Sequence, residues 1–294
     1  MNQDPLYLYR REGAYIPRIA AVHDLCGYGK CSLGVAIPVL SAAGCDVCPA
    51  PTGLFSSHTA FPGWYMHDTT EMLADYLAAW KNIGVEIDAV YSGFLGAPEQ
   101  VDRIRDLYGM YPDALRVVDP VMADHGKVYP TYTPELCDAM AELACGADIL
   151  TPNLTEAAII LGEPIGEDWG GTDITDDEAA RMIDALVAKG AKHVVLKGIQ
   201  REGEPLIRNF VGGEGMDVVE VSNEYVPYML HGTGDLYASC LMAAVMAGRS
   251  LQEAVRFAGD FVHDAMLVSA QQPEFEARGV SFEPLLGKVC DLLK

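Results

Sequence analysis

Short apolar runs alternate with longer stretches of helical periodicity along most of the chain. Residues 19–23, 45–50, 89–92, 115–119, 148–150 and 193–196 have the length and apolar content of buried strands. Between them, residues 32–43, 69–83, 98–108, 134–145, 154–161 and 176–189 space their apolar positions by three and four, as helices do. In the second of these, Met72, Leu73, Tyr76, Leu77 and Trp80 fall on one helical face. Thr133 followed by Pro134 predicts a capped helix start, because proline lacks only an N–H that the first turn leaves unused. Two runs near 206–211 and 217–221, joined through Gly212, Gly213 and Gly215, predict an antiparallel pair. Long helices follow at 235–247 and 251–269, then a terminal helix near 285–293. This alternation predicts an α/β fold with a mostly parallel central sheet and helices on both faces. Ligands of such sheets bind at the carboxyl ends of the strands, so the polar residues there carry the functional question.

The 294 residues, half of them apolar, suffice for a large core. We read 1–294 as a single domain, with 1–17 as an N-terminal extension, 270–294 as a C-terminal helical tail and 162–177 as a surface insertion. Acidic residues outnumber basic ones 42 to 20, giving a net charge of −22. That field repels nucleic acid and anionic membrane, so neither is expected as a partner. An anionic nucleotide would need a local cation or backbone-dipole site. No apolar run approaches a membrane span and no secretion signal is visible, so a cytoplasmic protein is expected. Cys45 and Cys48 form a C-x-x-C without a second pair at ligand spacing; small apolar residues on a buried strand are the simpler reading.

The strongest chemical signal is His231-Gly232-Thr233-Gly234-Asp235, which opens an apolar helix. Glycines at a helix entry expose backbone N–H groups, and the helix dipole adds to them, making an anion site. A carboxylate there either stabilises the helix start or accepts a hydroxyl proton while the amides hold a phosphoryl group. Gly27-Tyr28-Gly29-Lys30-Cys31-Ser32 only superficially resembles a phosphate loop. A Walker motif would need Gly at Asp24 and Ser or Thr at Cys31; a dinucleotide fingerprint would need Gly at Ser32. Lys30 is then either a phosphate or substrate contact or an ordinary residue near a helix start. Asp119-Pro120-Val121-Met122-Ala123-Asp124 ends a strand with two acids able to hold Mg²⁺ through water, or simply turns the chain. In Thr151-Pro152-Asn153-Leu154-Thr155-Glu156, Asn153 and Glu156 either form a capping box or face a nucleotide and its metal.

D-P-V-M, T-P-N-x-x-E and G-T-G-D occur in one order, with Ser57-His58-Thr59 and Ser92-Gly93-Phe94-Leu95-Gly96 ahead of all three. Together they resemble the pyridoxal kinase family of the ribokinase-like superfamily, over residues 18–270. The resemblance implies a three-layer sandwich, usually a homodimer, that moves the γ-phosphoryl of ATP onto the 5′-hydroxymethyl of a vitamin B6 vitamer. It implies Asp235 as base and Gly232, Thr233 and Gly234 as anion hole. Asp119, Asp124 and Glu156 would serve the metal, and Thr151, Asn153, Glu156 and Lys197 the nucleotide. Asp24, Ser57, His58, Thr59 and Phe94 would contact substrate, and residues 123–133 would fold over the site. For Phe94 the plain alternative is core packing, and for His58 a bond to backbone. ATP and Mg²⁺ are the implied cofactors, with a monovalent cation as a further candidate. One departure is Asp24, where many pyridoxal kinases have Ser. It resembles the hydroxymethylpyrimidine kinases, which makes that pyrimidine the alternative acceptor, although those enzymes commonly have Cys at Asp235. A sugar or nucleoside kinase is disfavoured, because one helix fills the interval after the first strand. A non-catalytic vitamer sensor is the remaining class.

Overall fold

The computed structural model describes residues 5–165 and 174–294. Its strands are β1 (Arg18–Cys26), β2 (Asp46–Phe55), β3 (Met66–Asp68), β4 (Ala89–Ser92), β5 (Leu115–Val118), β6 (Ala123–Asp124), β7 (Lys127–Val128), β8 (Ile149–Leu150), β9 (His193–Gln200), β10 (Leu206–Gly213) and β11 (Met216–Glu224). Its helices are α1 (Leu33–Ala42), α2 (Thr70–Asn82), α3 (Pro98–Met110), α4 (Pro134–Ala144), α5 (Leu154–Leu161), α6 (Asp176–Ala188), α7 (Thr233–Met246), α8 (Leu251–Ser269), α9 (Phe275–Arg278) and α10 (Leu286–Cys290).

Among the described residues, nine strands form one sheet in the order β11-β10-β9-β8-β5-β4-β1-β2-β3. The inner strands from β9 to β2 run parallel; β3, β10 and β11 are antiparallel additions at the two edges. Apolar side chains of α2 to α6 fill one face and those of α1, α7, α8 and α10 the other. The expected mostly parallel sheet with helices on both faces is therefore present. All six parallel strands point their carboxyl ends the same way, which gathers Asp24, Asp119, Thr151 and Lys197 at one edge of the sheet.

Thr133 caps α4 as its sequence predicts, accepting a bond from Leu136 N. Residues 166–173, the middle of the expected insertion, lie outside the described residues. Four local expectations need correction. Met72 is exposed, because the buried face of α2 is narrower than the pattern and centres on Leu73 and Leu77. The terminal helix is broken into a 3-10 turn at Glu283–Leu285, the short α10 and a second 3-10 turn at Asp291–Leu293. α7 begins at Thr233, two residues before the expected start, because Gly232 takes a left-handed φ of 82° and turns the chain there. Finally, β6 and β7 form a small hairpin missed by periodicity. Its turn residues His125 and Gly126 have φ of 48° and 72°, the positive values a two-residue hairpin turn demands. The eight cysteines are all free thiols. No helix of the described residues is long and apolar enough to cross a membrane.

α7 is the helix on which the site depends, and every residue from Leu236 to Met246 is buried. Leu241→Ala should cost about 2–5 kcal/mol of stability, the range for an aliphatic truncation in a core that collapses only partly. Urea denaturation with an unchanged m-value checks it.

Candidate active site

Lys197, on β9, is largely but not fully buried between elements that end at the same edge. Its ammonium pairs with Asp119 Oδ1, and the same oxygen accepts a 2.9 Å bond from Thr151 Oγ1. Lys197 N also donates to Pro152 O at 2.9 Å, which holds the β9 strand against the start of α5. A Cβ built on Gly234 would lie 3.9 Å from the Lys197 ammonium, so the cation faces the glycines that open α7. Burial alone would lower the Lys197 pKa; the Asp119 and Glu156 carboxylates outweigh it and hold it above its ordinary value.

Asp235 lies in the first turn of α7. Its Oδ2 accepts a 3.0 Å bond from Ser32 N, while its Oδ1 is buried with no protein partner. Burial pushes its carboxyl up to about 7, with Asp119 and Asp24 adding to the rise and the Ser32 bond and Lys197 opposing it. Asp24, near the end of β1, is buried and accepts a bond from the Ser32 hydroxyl. Burial raises it to about 6 against that bond. Carboxyls poised near neutrality beside a helix N-terminus and a buried ammonium suit proton transfer coupled to movement of an anionic group.

Residues 39–278 match the phosphomethylpyrimidine kinase family. A pyridoxal kinase PdxY from Haemophilus influenzae (strain PittEE) is 30% identical over 251 residues, covering 81% of this chain and 84% of its own. This chain belongs with the pyridoxal kinases of that family. A Bacteroides thetaiotaomicron protein described as a phosphomethylpyrimidine kinase, crystallised with pyridoxal, superposes with a TM-score of 0.88 at 34% identity, covering 94% of this chain and 96% of that one. Pyridoxal kinase from Lactobacillus plantarum gives 0.85 at 28% identity, covering 95% and 98%.

The kinase places the other sequence-predicted residues less uniformly. Glu156 is buried and raised to about 8, chiefly by burial, with Lys197 opposing and Asp119 adding. Both its oxygens are taken, by Met122 N at 3.3 Å and Asn153 N at 2.8 Å, while Asn153 Oδ1 accepts from Glu156 N. The capping-box alternative is therefore real. Asn153 Nδ2 donates to Ala123 O and Thr155 Oγ1 accepts from Gly126 N, so the start of α5 docks the β6–β7 hairpin. Asp124 lies in that hairpin and accepts from His125 N. The expected trio Asp119, Asp124 and Glu156 thus does not gather into a cage. Among the described residues no group of three or more His, Cys, Asp or Glu is arranged to hold a metal alone.

Of the residues expected to contact substrate, Ser57 is half-buried and Thr59 exposed. Phe94 is buried, edge-on to Phe55 and Tyr132, contacts that fit the core-packing alternative. His58 commits both nitrogens to backbone: Nε2 donates to Ala277 O at 2.9 Å and Nδ1 accepts from Ala60 N at 3.3 Å. Its ring stacks on His231 with centroids 4.4 Å apart. Lys30 pairs with Glu283, and a Cβ at Gly232 would overlap the Lys30 carbonyl. Val280 N also donates to His231 O. Residues 277–283 therefore clamp the Lys30 and His58 loops against the glycines of α7.

Three contributors escaped the sequence reading: Ser32, Tyr129 and this clamp. Tyr129 lies in the expected covering loop, and its hydroxyl is held in its neutral form by burial and by Glu156, Asp124, Asp235 and Asp119 around it. The clamp left no local signal, because it is assembled from backbone carbonyls and one ion pair.

Lys197→Met should destabilise the protein by about 3–5 kcal/mol, since it strands Asp119 as an uncompensated buried charge. The double variant Lys197→Met, Asp119→Leu should recover most of that loss in urea denaturation.

Proposed function

We propose that the kinase transfers the γ-phosphoryl group of ATP to the 5′-hydroxymethyl of a vitamin B6 vitamer. The observation that carries this reading is the free Oδ1 of Asp235, with its carboxyl near neutrality, at the glycine-opened start of α7. The likeness to kinases named for pyridoxal, one of them crystallised with it, supports the acceptor.

In this reading Asp235 Oδ1 accepts the hydroxyl proton as the new O–P bond forms and the bond to the β-phosphate breaks. Ser32 N holds the other carboxylate oxygen still. Gly232, Thr233 and Gly234 present backbone N–H groups to the moving phosphoryl group. Thr233 spends its hydroxyl on Leu230 O at 3.1 Å, so its contribution is its amide. Lys197 supplies positive charge opposite, which a protein of charge −22 needs if it is to hold ATP. Thr151 and Asn153 keep Asp119 and the covering hairpin in place on the nucleotide side. Phosphoryl transfer needs alignment and charge neutralisation more than covalent help, and these residues supply both.

The residues also fit magnesium. Asp119 Oδ2 is a buried oxygen without a protein partner, the kind of hard donor this ion takes. Magnesium is commonly held by one or two carboxylates with phosphate and water completing its shell, so the absence of an all-protein cage is compatible with it. Bound there, it would neutralise phosphate charge; Asp119 is the residue that would hold it. We take the assembly to be a cytoplasmic homodimer, as the family resemblance implies.

A second acceptor has specific support. Asp24 lies two residues before the end of β1, where the hydroxymethylpyrimidine kinases carry the same residue, and the matched family is named for a phosphomethylpyrimidine. We read Asp24 as the partner of a protonated ring nitrogen or of the pyridoxamine ammonium.

ATP consumption with Mg²⁺ should be measured against pyridoxal, pyridoxamine, pyridoxine and hydroxymethylpyrimidine in parallel. Turnover of a B6 vitamer is expected; turnover of the pyrimidine alone would overturn the assignment. Asp235→Ala should lower kcat by about 10²–10⁴. The base must be deprotonated, so kcat/KM should fall on the acid side with an apparent pKa near 7. An acid limb unchanged in Asp235→Asn would remove Asp235 from that role.

A further inference from the structure

Ser32 directly precedes α1, where serine ordinarily caps a helix. It does not do so. Its φ and ψ are 51° and −129°, outside the extended region a cap adopts, and its side chain makes no capping bond. Positive φ is costly for a residue with a Cβ, and only three non-glycine residues among those described have it. The position is the one where a dinucleotide fingerprint would carry glycine, and the backbone there is indeed glycine-like. Yet the residue has a hydroxyl, and the hydroxyl is used.

Ser32 is buried, and its two donors go to two carboxylates from different elements. The hydroxyl donates to Asp24 Oδ1 at the end of β1. The N–H donates at 3.0 Å to Asp235 Oδ2 in the first turn of α7. The strained φ is what lets one residue point both donors at both acids. Asp235 is left with Oδ1 as its unpartnered oxygen, and Asp24 keeps Oδ2 outside the serine bond.

We infer that Ser32 is a positioning residue that fixes the orientations of Asp24 and Asp235 together, so that each presents one set oxygen to the acceptor molecule. Its hydroxyl governs how Asp24 receives the acceptor's ring or amine, and its amide governs how Asp235 receives the hydroxyl proton. This rests on the phosphotransfer reading above, but the link between serine and the two acids can be tested without it.

Two readouts settle it. The first is kinetic, with pyridoxal as acceptor. Ser32→Ala removes the hydroxyl and keeps the amide, so KM should rise about tenfold, the scale of a hydrogen bond to a charged group, while kcat changes less than about threefold. In an Asp24→Asn background the same substitution should change KM by less than about twofold, because the serine acts through Asp24. The second readout is carboxyl NMR titration of the unliganded protein, where Asp24 should titrate at higher pH in Ser32→Ala than in wild type. Ser32→Gly accepts the backbone conformation without strain, and it stands in if the alanine variant folds poorly. It should reproduce the loss of the hydroxyl in both readouts. An unmoved Asp24 titration, a KM effect that adds in full to that of Asp24→Asn, or a wild-type KM in Ser32→Gly would each overturn the inference. If wild type fails to turn over any B6 vitamer, the functional reading falls instead, and the titration still decides whether Ser32 governs Asp24.

Discussion

The buried ammonium of Lys197 makes the rest of the site tenable. The buried Asp119 and Glu156 and the half-buried Asp235 crowd one corner at the carboxyl ends of the sheet, in a protein that already carries a charge of −22. Carboxylates brought together out of water repel one another and resist ionisation. Lys197 opposes that at both ends, pairing directly with Asp119 and pulling against the rise of Glu156 and Asp235. The sheet puts it there: β9 is the last parallel strand, and its bond to Pro152 O carries the lysine past the start of α5 to face α7.

The compensation is incomplete, and the fold bears the remainder. Asp235 and Glu156 sit at about 7 and about 8, well above their ordinary 3.8 and 4.5. A carboxyl raised by folding adds stability that is complete below its unfolded pKa and is lost as pH rises through its folded one. These two groups therefore favour the folded state in acid and weaken it across neutrality, the same range in which Asp235 loses its proton. The strained serine before α1 points the same way. A site that holds acids in the wrong environment, on an unfavourable backbone, is stabilised by what surrounds it, above all by the fully buried α7.

Much of this was legible in the chain. The parallel strands and their helices follow from periodicity, because burial on both faces of a sheet leaves unbroken apolar runs. The glycine-opened α7 and the acids at strand ends were visible for the same reason: special backbone and buried charge need special residues. What stayed hidden is relational. Asn153 and Glu156 fit a cap and a nucleotide contact equally well, and the sequence gives no sign that the cap takes both oxygens of Glu156. His58 could not be assigned from its neighbours, because its partners are Ala277 O and Ala60 N, and a backbone carbonyl leaves no trace in residue identity. Phe94 is a further case, since a buried aromatic and a stacking platform look alike in sequence and its ring neighbours Phe55 and Tyr132 come from distant elements.

The clamp formed by residues 277–283 has a consequence for the order in which the molecule matures. Every strand of the sheet precedes residue 225, and the acids and glycines of the site are all in place by residue 235. The loops bearing Lys30 and His58 already rest on His231 and Gly232, but they lack their outer partners until Glu283 and the Ala277 carbonyl arrive. During vectorial synthesis, the sheet can therefore form well before the pocket beside it is closed. A nascent chain would hold the acids and glycines of the site in a cleft still open on one side, until a short, nearly featureless segment folds back across it.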